Sequence, residues 1–273
     1  MVNDKIKPVV TVLMSVYNAE EFLNESIDSI LNQTFSNFEF IIINDACTDN
    51  SLNMLQSYID KRIKIITNRK NIGLTKSLNK GLKLAQGSYI ARMDSDDISM
   101  PTRLEKQVLF MENNPDIYVC GTWLQILEKK NIWRPPCNHL QIMRAMLENN
   151  SLYHPTAIMK NLKKEMFYYD ETFRTAQDYE LWTRIGLKHK LANIPEVLLL
   201  RRVHDKSIGK KKSIEQAFNA KKIRLNLLRH FYKIDFITFF IYKLRIHKIM
   251  NYKFKTKIKN LVKRLLCKII KYQ

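Results

Sequence analysis

Cysteine, glycine and proline are all scarce in this chain, and each shortage closes off a class of protein. Only four cysteines occur among 273 residues, Cys47, Cys120, Cys137 and Cys267, and no two of them form a Cys-x-x-Cys pair. That scatter excludes a zinc ribbon or a disulfide framework and leaves reduced thiols used as small core residues. Six glycines and seven prolines supply neither a flexible linker nor a low-complexity tract. Long apolar runs are missing too, since nothing approaches the roughly 18–20 residues that span a bilayer. Val9–Val16 is short and follows a polar Met1–Lys7, so it makes no leader peptide. These absences lead to the expectation of a cytoplasmic globular protein, for which a hydrophobic fraction of 45% is ordinary.

Acidic residues are the fourth shortage. Twenty-six Asp and Glu face 46 Lys and Arg, a formal net charge of +20. The imbalance is local: from Lys210 to Gln273, nineteen basic residues meet only Glu215 and Asp235. That stretch carries +17 and leaves about +3 for the rest. A near-neutral globular domain, residues 1–209, is therefore expected to carry a basic extension, residues 210–273.

Within the first hundred residues, apolar runs and amphipathic stretches alternate. Val9–Val16, Phe38–Ile43, Ile63–Ile66 and Tyr89–Met93 read as strands, the first two apolar enough to be buried on both faces. Ala19–Asn32, with Asn18 as its cap, Asp49–Tyr58 and Leu74–Ala85 read as the helices between them. Such alternation predicts an α/β fold with right-handed crossovers and a mainly parallel sheet flanked by helices. Thr102–Asn113 and Asp178–His189 read as further helices, Ile117–Gln125 and Leu191–Leu200 as strands, and 126–170 as irregular. From Ser213 the pattern is helical and basic.

Open sheets of this kind bind ligands beyond the carboxyl ends of their strands. Three of those ends are polar here: Ser15-Val16-Tyr17-Asn18, Asn44-Asp45-Ala46-Cys47 and Asp94-Ser95-Asp96-Asp97. Three carboxylates within four residues repel one another unless a cation lies among them, and Mn²⁺ or Mg²⁺ takes such hard oxygen ligands. An acidic turn is the plain alternative, and the position at a strand's end favours the metal. Asp45 is either the start of a strand-to-helix turn or an acceptor for a base or ribose. Asp178 is either a first-turn helix acid or a general base. His154 and His204 sit beside turns, where each is a structural histidine or a contact for phosphate or sugar.

Together these segments resemble the inverting glycosyltransferases of family 2, which have the Rossmann-like GT-A fold. The likeness covers roughly residues 8–209 and rests on VTVLMSVYNAEEFLNESIDSILNQTFSNFEFIIINDACTDNS, NIGLTKSLNKGLKLAQGSYIARMDSDDISMPTRLEKQ and AQDYELW, in that order. It implies that Ser15, Tyr17 and Asp45 contact the nucleobase and ribose of a nucleotide-sugar donor, most often a UDP-sugar. It implies Asp94 beside the ribose or donor sugar, Asp96 as the metal ligand, Asp178 as the catalytic base and His204 near the diphosphate. Trp182 would support the base by packing, and Gln177 replaces an acid often found before it. The acceptor implied is a lipopolysaccharide, capsule or related envelope glycan.

Two rivals are weaker. A nucleotidyltransferase would need a Gly-rich basic phosphate loop after the first strand, which Ser15–Glu21 lacks, and a non-catalytic scaffold would not need Asp96 or Asp178. For the basic extension the favoured reading is a helix attracted to anionic lipid, which would place the protein peripherally on the inner face of the cytoplasmic membrane. A helix packed on the catalytic domain is the alternative. Nucleic acid is the weakest partner, because no recognised module accompanies the charge.

Overall fold

Two strands of branched apolar residues form the centre of the fold in a computed structural model. β1 (Val10–Val16) is buried except at half-buried Ser15, and β2 (Phe38–Asn44) is buried throughout. The structure describes residues 7–129, 131–162, 167–204 and 213–232. The chain divides into two compact units, Met1–Arg224 and Leu225–Gln273, so the first extends past residue 209. The long C-terminal helix α7 (Ser213–Tyr232) belongs to the first unit as far as Arg224.

In the first unit, β1 is followed by α1 (Leu23–Leu31), β2, α2 (Ser51–Ser57), β3 (Ile63–Thr67), α3 (Leu74–Leu84), β4 (Tyr89–Met93), β5 (Ile98–Ser99) and α4 (Arg103–Asn113). Then come β6 (Ile117–Ile126), β7 (Ile132–Trp133), α5 (His139–Ala145), a 3₁₀ turn at His154–Thr156, β8 (Ile158–Lys160), α6 (Gln177–Gly186) and β9 (Lys190–Arg201). Among the described residues the strands form one sheet in the order β3-β2-β1-β4-β8-β6-β9-β5, with β7 on β6. The β3-β2-β1-β4 half is parallel. β8 runs antiparallel to both β4 and β6, and β9 is again parallel to β6.

One core cluster backs the sheet. It takes Val12 and Met14 from β1, Ile27 and Ile30 from α1, Phe40 and Ile42 from β2, Leu104 from α4, Leu124 from β6 and Leu199 from β9. Burial of such side chains is worth about 1.5–3 kcal/mol each. At the amino end of β2 the buried Glu39 accepts from Thr11 Oγ1, the Gln86 N–H and Lys64 Nζ at 2.6–2.7 Å, which ties three elements together.

One boundary differs from the sequence reading. Asn18 does not cap a helix starting at Ala19; α1 begins at Leu23, and Phe22 precedes it without a side-chain cap. The Asn18 amide instead bridges to the β2–α2 loop, where its Oδ1 accepts from the Thr48 N–H at 2.9 Å and its Nδ2 donates to Thr48 Oγ1 at 3.1 Å. A partner thirty residues away has won the cap residue.

Candidate active site

The carboxyl ends of β1, β2 and β4 carry the polar residues that the topology calls for. Ser15 is half-buried, Tyr17 is half-exposed just beyond β1, and Asp45 is buried just beyond β2. Asp45 is held on both oxygens. Oδ1 accepts from the Ile72 N–H at 2.9 Å and Asn68 Nδ2 at 2.8 Å, while Oδ2 accepts from the Gly73 N–H at 2.8 Å. The carboxylate therefore shapes the loop entering α3, and Gly73 fits it with a left-handed φ of 87° that a side chain would strain.

Asp94, Asp96 and Asp97 follow β4, and each offers a carboxylate oxygen within 4.8 Å of the others. Asp94 ion-pairs with Arg92, which is buried beneath it on β4. Arg92 is backed in turn by Arg103, whose Nη2 donates to the Arg92 carbonyl at 2.8 Å. Asp96 Oδ2 lies 2.9 Å from His204 Nε2. Asp97 is buried and accepts the Arg202 N–H at 3.0 Å. Burial first, then the charges of Asp94 and Asp96, push the Asp97 carboxyl well above the usual carboxylate range. Asp94 is raised by burial, with Arg92 opposing and Asp96 adding to the effect. Crowded carboxylates that resist ionising together are a donor set that fits a hard divalent cation.

Arg202 closes the acidic turn from β9. Besides its N–H on Asp97, its Nε donates to the Asp96 carbonyl at 3.2 Å, its Nη2 meets Glu25 at 2.7 Å, and its guanidinium lies 4.3 Å from the Phe22 ring centre. His204, two residues on, reaches the cluster for that reason.

Asp178 stands in the first turn of α6, with Asn150 Nδ2 donating to its Oδ2 at 2.8 Å. Burial raises its carboxyl to about 6; backbone N–H groups and Arg92 oppose the shift and the Asp94 charge adds to it. Trp182, one turn later, is fully buried with its ring edge-on to His154, 6.2 Å between centres. His154 is itself buried, bonded through Nε2 to the Tyr169 hydroxyl at 2.7 Å, and burial holds its imidazole well below its usual pKa. It is a structural histidine, and no face of it is offered to a phosphate. The first turns of α7 pack beside this region: Asn219 Nδ2 donates to the Thr175 carbonyl at 3.1 Å, and Arg224 Nη1 to that of Glu148 at 2.6 Å.

Three non-glycine residues have left-handed backbones among the described residues, Asn18, Ala46 and Ala176, with φ of 52–58°. They adjoin Tyr17, Asp45 and the Gln177-Asp178 pair in turn. Such a conformation costs about 1–2 kcal/mol per residue, and strain of this kind gathers where side chains must be aimed.

Sequence reasoning missed Arg92, Asn150 and Arg202. An arginine inside an apolar strand was the available signal for the first. The other two lie 28 and 105 residues from the carboxylates they bind.

A half-parallel sheet with metal-suited carboxylates after its fourth strand is the architecture of a GT-A glycosyltransferase. The chain belongs to glycosyl transferase family 2, whose model matches residues 11–176, more than half of it. It is 38% identical to an uncharacterized glycosyltransferase of Haemophilus influenzae, over 89% of this chain and 78% of that one. It is 36% identical to the O-antigen biosynthesis glycosyltransferase WbnJ of Escherichia coli, over 76% of this chain and 84% of that one. Among solved structures it is similar to residues 1–349 of S. aureus TarS in complex with UDP, with a TM-score of 0.62 and 20% identity, covering 83% of this chain and 72% of that one. At that identity the likeness bears on the fold.

Proposed function

We propose that this glycosyltransferase moves a sugar from a UDP-sugar to a hydroxyl of an envelope glycan, with inversion at the anomeric carbon. The observation that carries the reading is the presence of two kinds of carboxylate, one set beyond a strand end and one at a helix start, with the Asp94 charge acting on Asp178. One is the acidic turn of Asp94, Asp96 and Asp97; the other is Asp178, half-buried and lifted to about 6. A base poised near working pH is half ionised and still able to take a proton. The relation to an O-antigen enzyme supports the envelope acceptor, and the likeness to a UDP-bound structure supports the nucleotide.

Ser15, Tyr17 and Asp45 line the nucleoside end of the donor, and Asp94 the ribose or donor sugar. Asp96 would hold Mn²⁺ or Mg²⁺, which would supply positive charge against the diphosphate leaving group. His204, bonded to Asp96, would meet the same diphosphate. Asp178 takes the proton of the acceptor hydroxyl as that oxygen bonds to the anomeric carbon, opposite the breaking bond to the diphosphate. One displacement then reverses the anomeric configuration.

The basic extension, 210–273, is proposed to rest on anionic lipid at the inner membrane face. Its first turns leave Ile214 and Phe218 exposed four residues apart, an apolar edge within a strongly cationic segment. No described helix is long and apolar enough to cross a membrane. Vesicles with and without phosphatidylserine test this, and equal binding to both refutes it.

Calorimetric titration of UDP and of GDP, with and without Mn²⁺, tests the donor reading. The expected result is metal-dependent binding of UDP that is lost in Asp96→Ala. Preference for GDP overturns the choice of nucleotide, and binding of neither overturns the donor site.

A further inference from the structure

We propose that Trp133, seated on Tyr153, is the platform on which a pyranose ring of the acceptor stacks; this rests on the reading of the chain as a glycan-directed glycosyltransferase. β7 is only two residues long, and it pairs antiparallel with β6 so that Trp133 lies opposite Leu124. Residues directly opposite on paired strands share a face of the sheet. Leu124 is fully buried in the core, yet Trp133 is 46% exposed. The core face of the sheet therefore opens to solvent at Trp133, and an indole stands in the opening.

Its position is fixed from both sides. The Trp133 ring lies 3.9 Å centre to centre from Tyr153, tilted by 52°, and Tyr153 packs against the core cluster. The next residue turns to the other face, where the Arg134 guanidinium lies 5.5 Å from the Trp123 ring centre. Trp123 Nε1 then donates to the Pro135 carbonyl at 3.3 Å. A large aromatic face held rigid and left half open is the form of a ligand contact rather than of a core residue.

The platform also lies within reach of the chemistry. Register across the sheet sets Ser99, Leu199, Leu124 and Trp133 in one row. Three strand spacings, about 14 Å, separate the Trp133 backbone from Ser99, which follows Asp97 by two residues. Tyr153 belongs to the segment that carries Asn150, the partner of Asp178. An acceptor of more than one sugar residue would rest one ring on the platform and offer a hydroxyl of another to Asp178. The C–H edges of a pyranose face carry slight positive charge and suit the negative face of an indole, while its hydroxyls stay free at the rim.

The test uses the full chain saturated with Mn²⁺ and UDP. Methyl α- and β-hexopyranosides and methyl N-acetylhexosaminides are added at tens of millimolar, and binding is read by saturation-transfer NMR. At least one pyranoside should bind, Trp133→Ala should weaken it about tenfold, and Trp133→Phe should restore most of the loss. Metal-dependent UDP binding should be equal in all three proteins, which also reports that each is folded. Pyranoside binding untouched by Trp133→Ala, or no pyranoside binding to a protein that binds UDP, overturns the platform and leaves the donor reading intact. A dimer that Trp133→Ala converts to monomer would assign the patch to a second copy and overturn it as well. Failure of UDP binding in the unaltered chain strikes the donor reading instead.

Discussion

Replacing Asp178 by Asn should stabilise the protein while it destroys turnover. Burial lifts this carboxyl to about 6, against about 3.9 in an unfolded chain. Between those values the unfolded chain has released its proton and the folded one keeps it, so stability falls as pH rises. A tenfold change in proton affinity is worth about 1.4 kcal/mol, and the whole interval about 3 kcal/mol. Asn has no proton to lose and retains an oxygen for the Asn150 amide, which donates to Oδ2 at 2.8 Å in the unaltered protein. The two proteins should therefore melt together near pH 4 and diverge by about 6–12 °C near pH 8, with the variant the more stable. Thermal melts in the presence of a chelator measure this directly. Transfer assays should show kcat lowered about a hundred- to ten-thousand-fold, and unaltered enzyme losing activity as pH falls through about 6. A melting gap that is the same at both pH values, or a variant less stable near pH 8, would refute the idea that ionising a buried carboxyl carries the cost.

Further outcomes follow from contacts already described. Asp45→Asn keeps one oxygen but sets an amide N–H₂ against the backbone N–H of either Ile72 or Gly73, and should cost about 1–3 kcal/mol in denaturant unfolding while weakening UDP binding. Arg92→Met leaves Asp94 without its buried cation and should cost about 3–5 kcal/mol; adding Asp94→Asn should recover much of it, as a double-mutant cycle would show. Glu39→Ala breaks the knot among Thr11, Lys64 and the Gln86 N–H and should cost about 2–4 kcal/mol. Because Glu39 sits at the amino end of β2, far from the strand ends that carry Asp45 and Asp96, calorimetry should find UDP binding unchanged.

The parallel half of the fold was legible because its strands are short, mostly apolar runs set between polar loops. Phe38–Ile43 and Tyr89–Met93 match the observed strands to within a residue. The short elements between 126 and 170 were not legible, since β7 and β8 have only two and three residues and too few positions to show a period. The acidic turn could be seen because its members are adjacent. What closes it could not, because Arg202 and His204 arrive from β9 by a path that only tertiary pairing defines. Asn18 misled for a related reason: its side chain suits a helix cap and a cross-loop bridge equally, and composition gives no means to choose.

The place where β8 joins β4 has a consequence for how such enzymes diversify. Three residue pairs connect the parallel strands to β8, and two more connect β8 to β6. On one side of this narrow seam stand Ser15, Tyr17, Asp45 and Asp94; on the other stand Trp133, Tyr153 and the helix of Asp178. The two sides are nonetheless tied, for the core cluster that takes Val12 and Phe40 also takes Leu124 and Leu199, and Arg202 and His204 reach the acidic turn from the far side. Under the roles proposed above, a chimaera joined at residues 114–116, before β6, would exchange the acceptor side, and it would keep the donor side intact only by retaining Leu124, Leu199, Arg202 and His204.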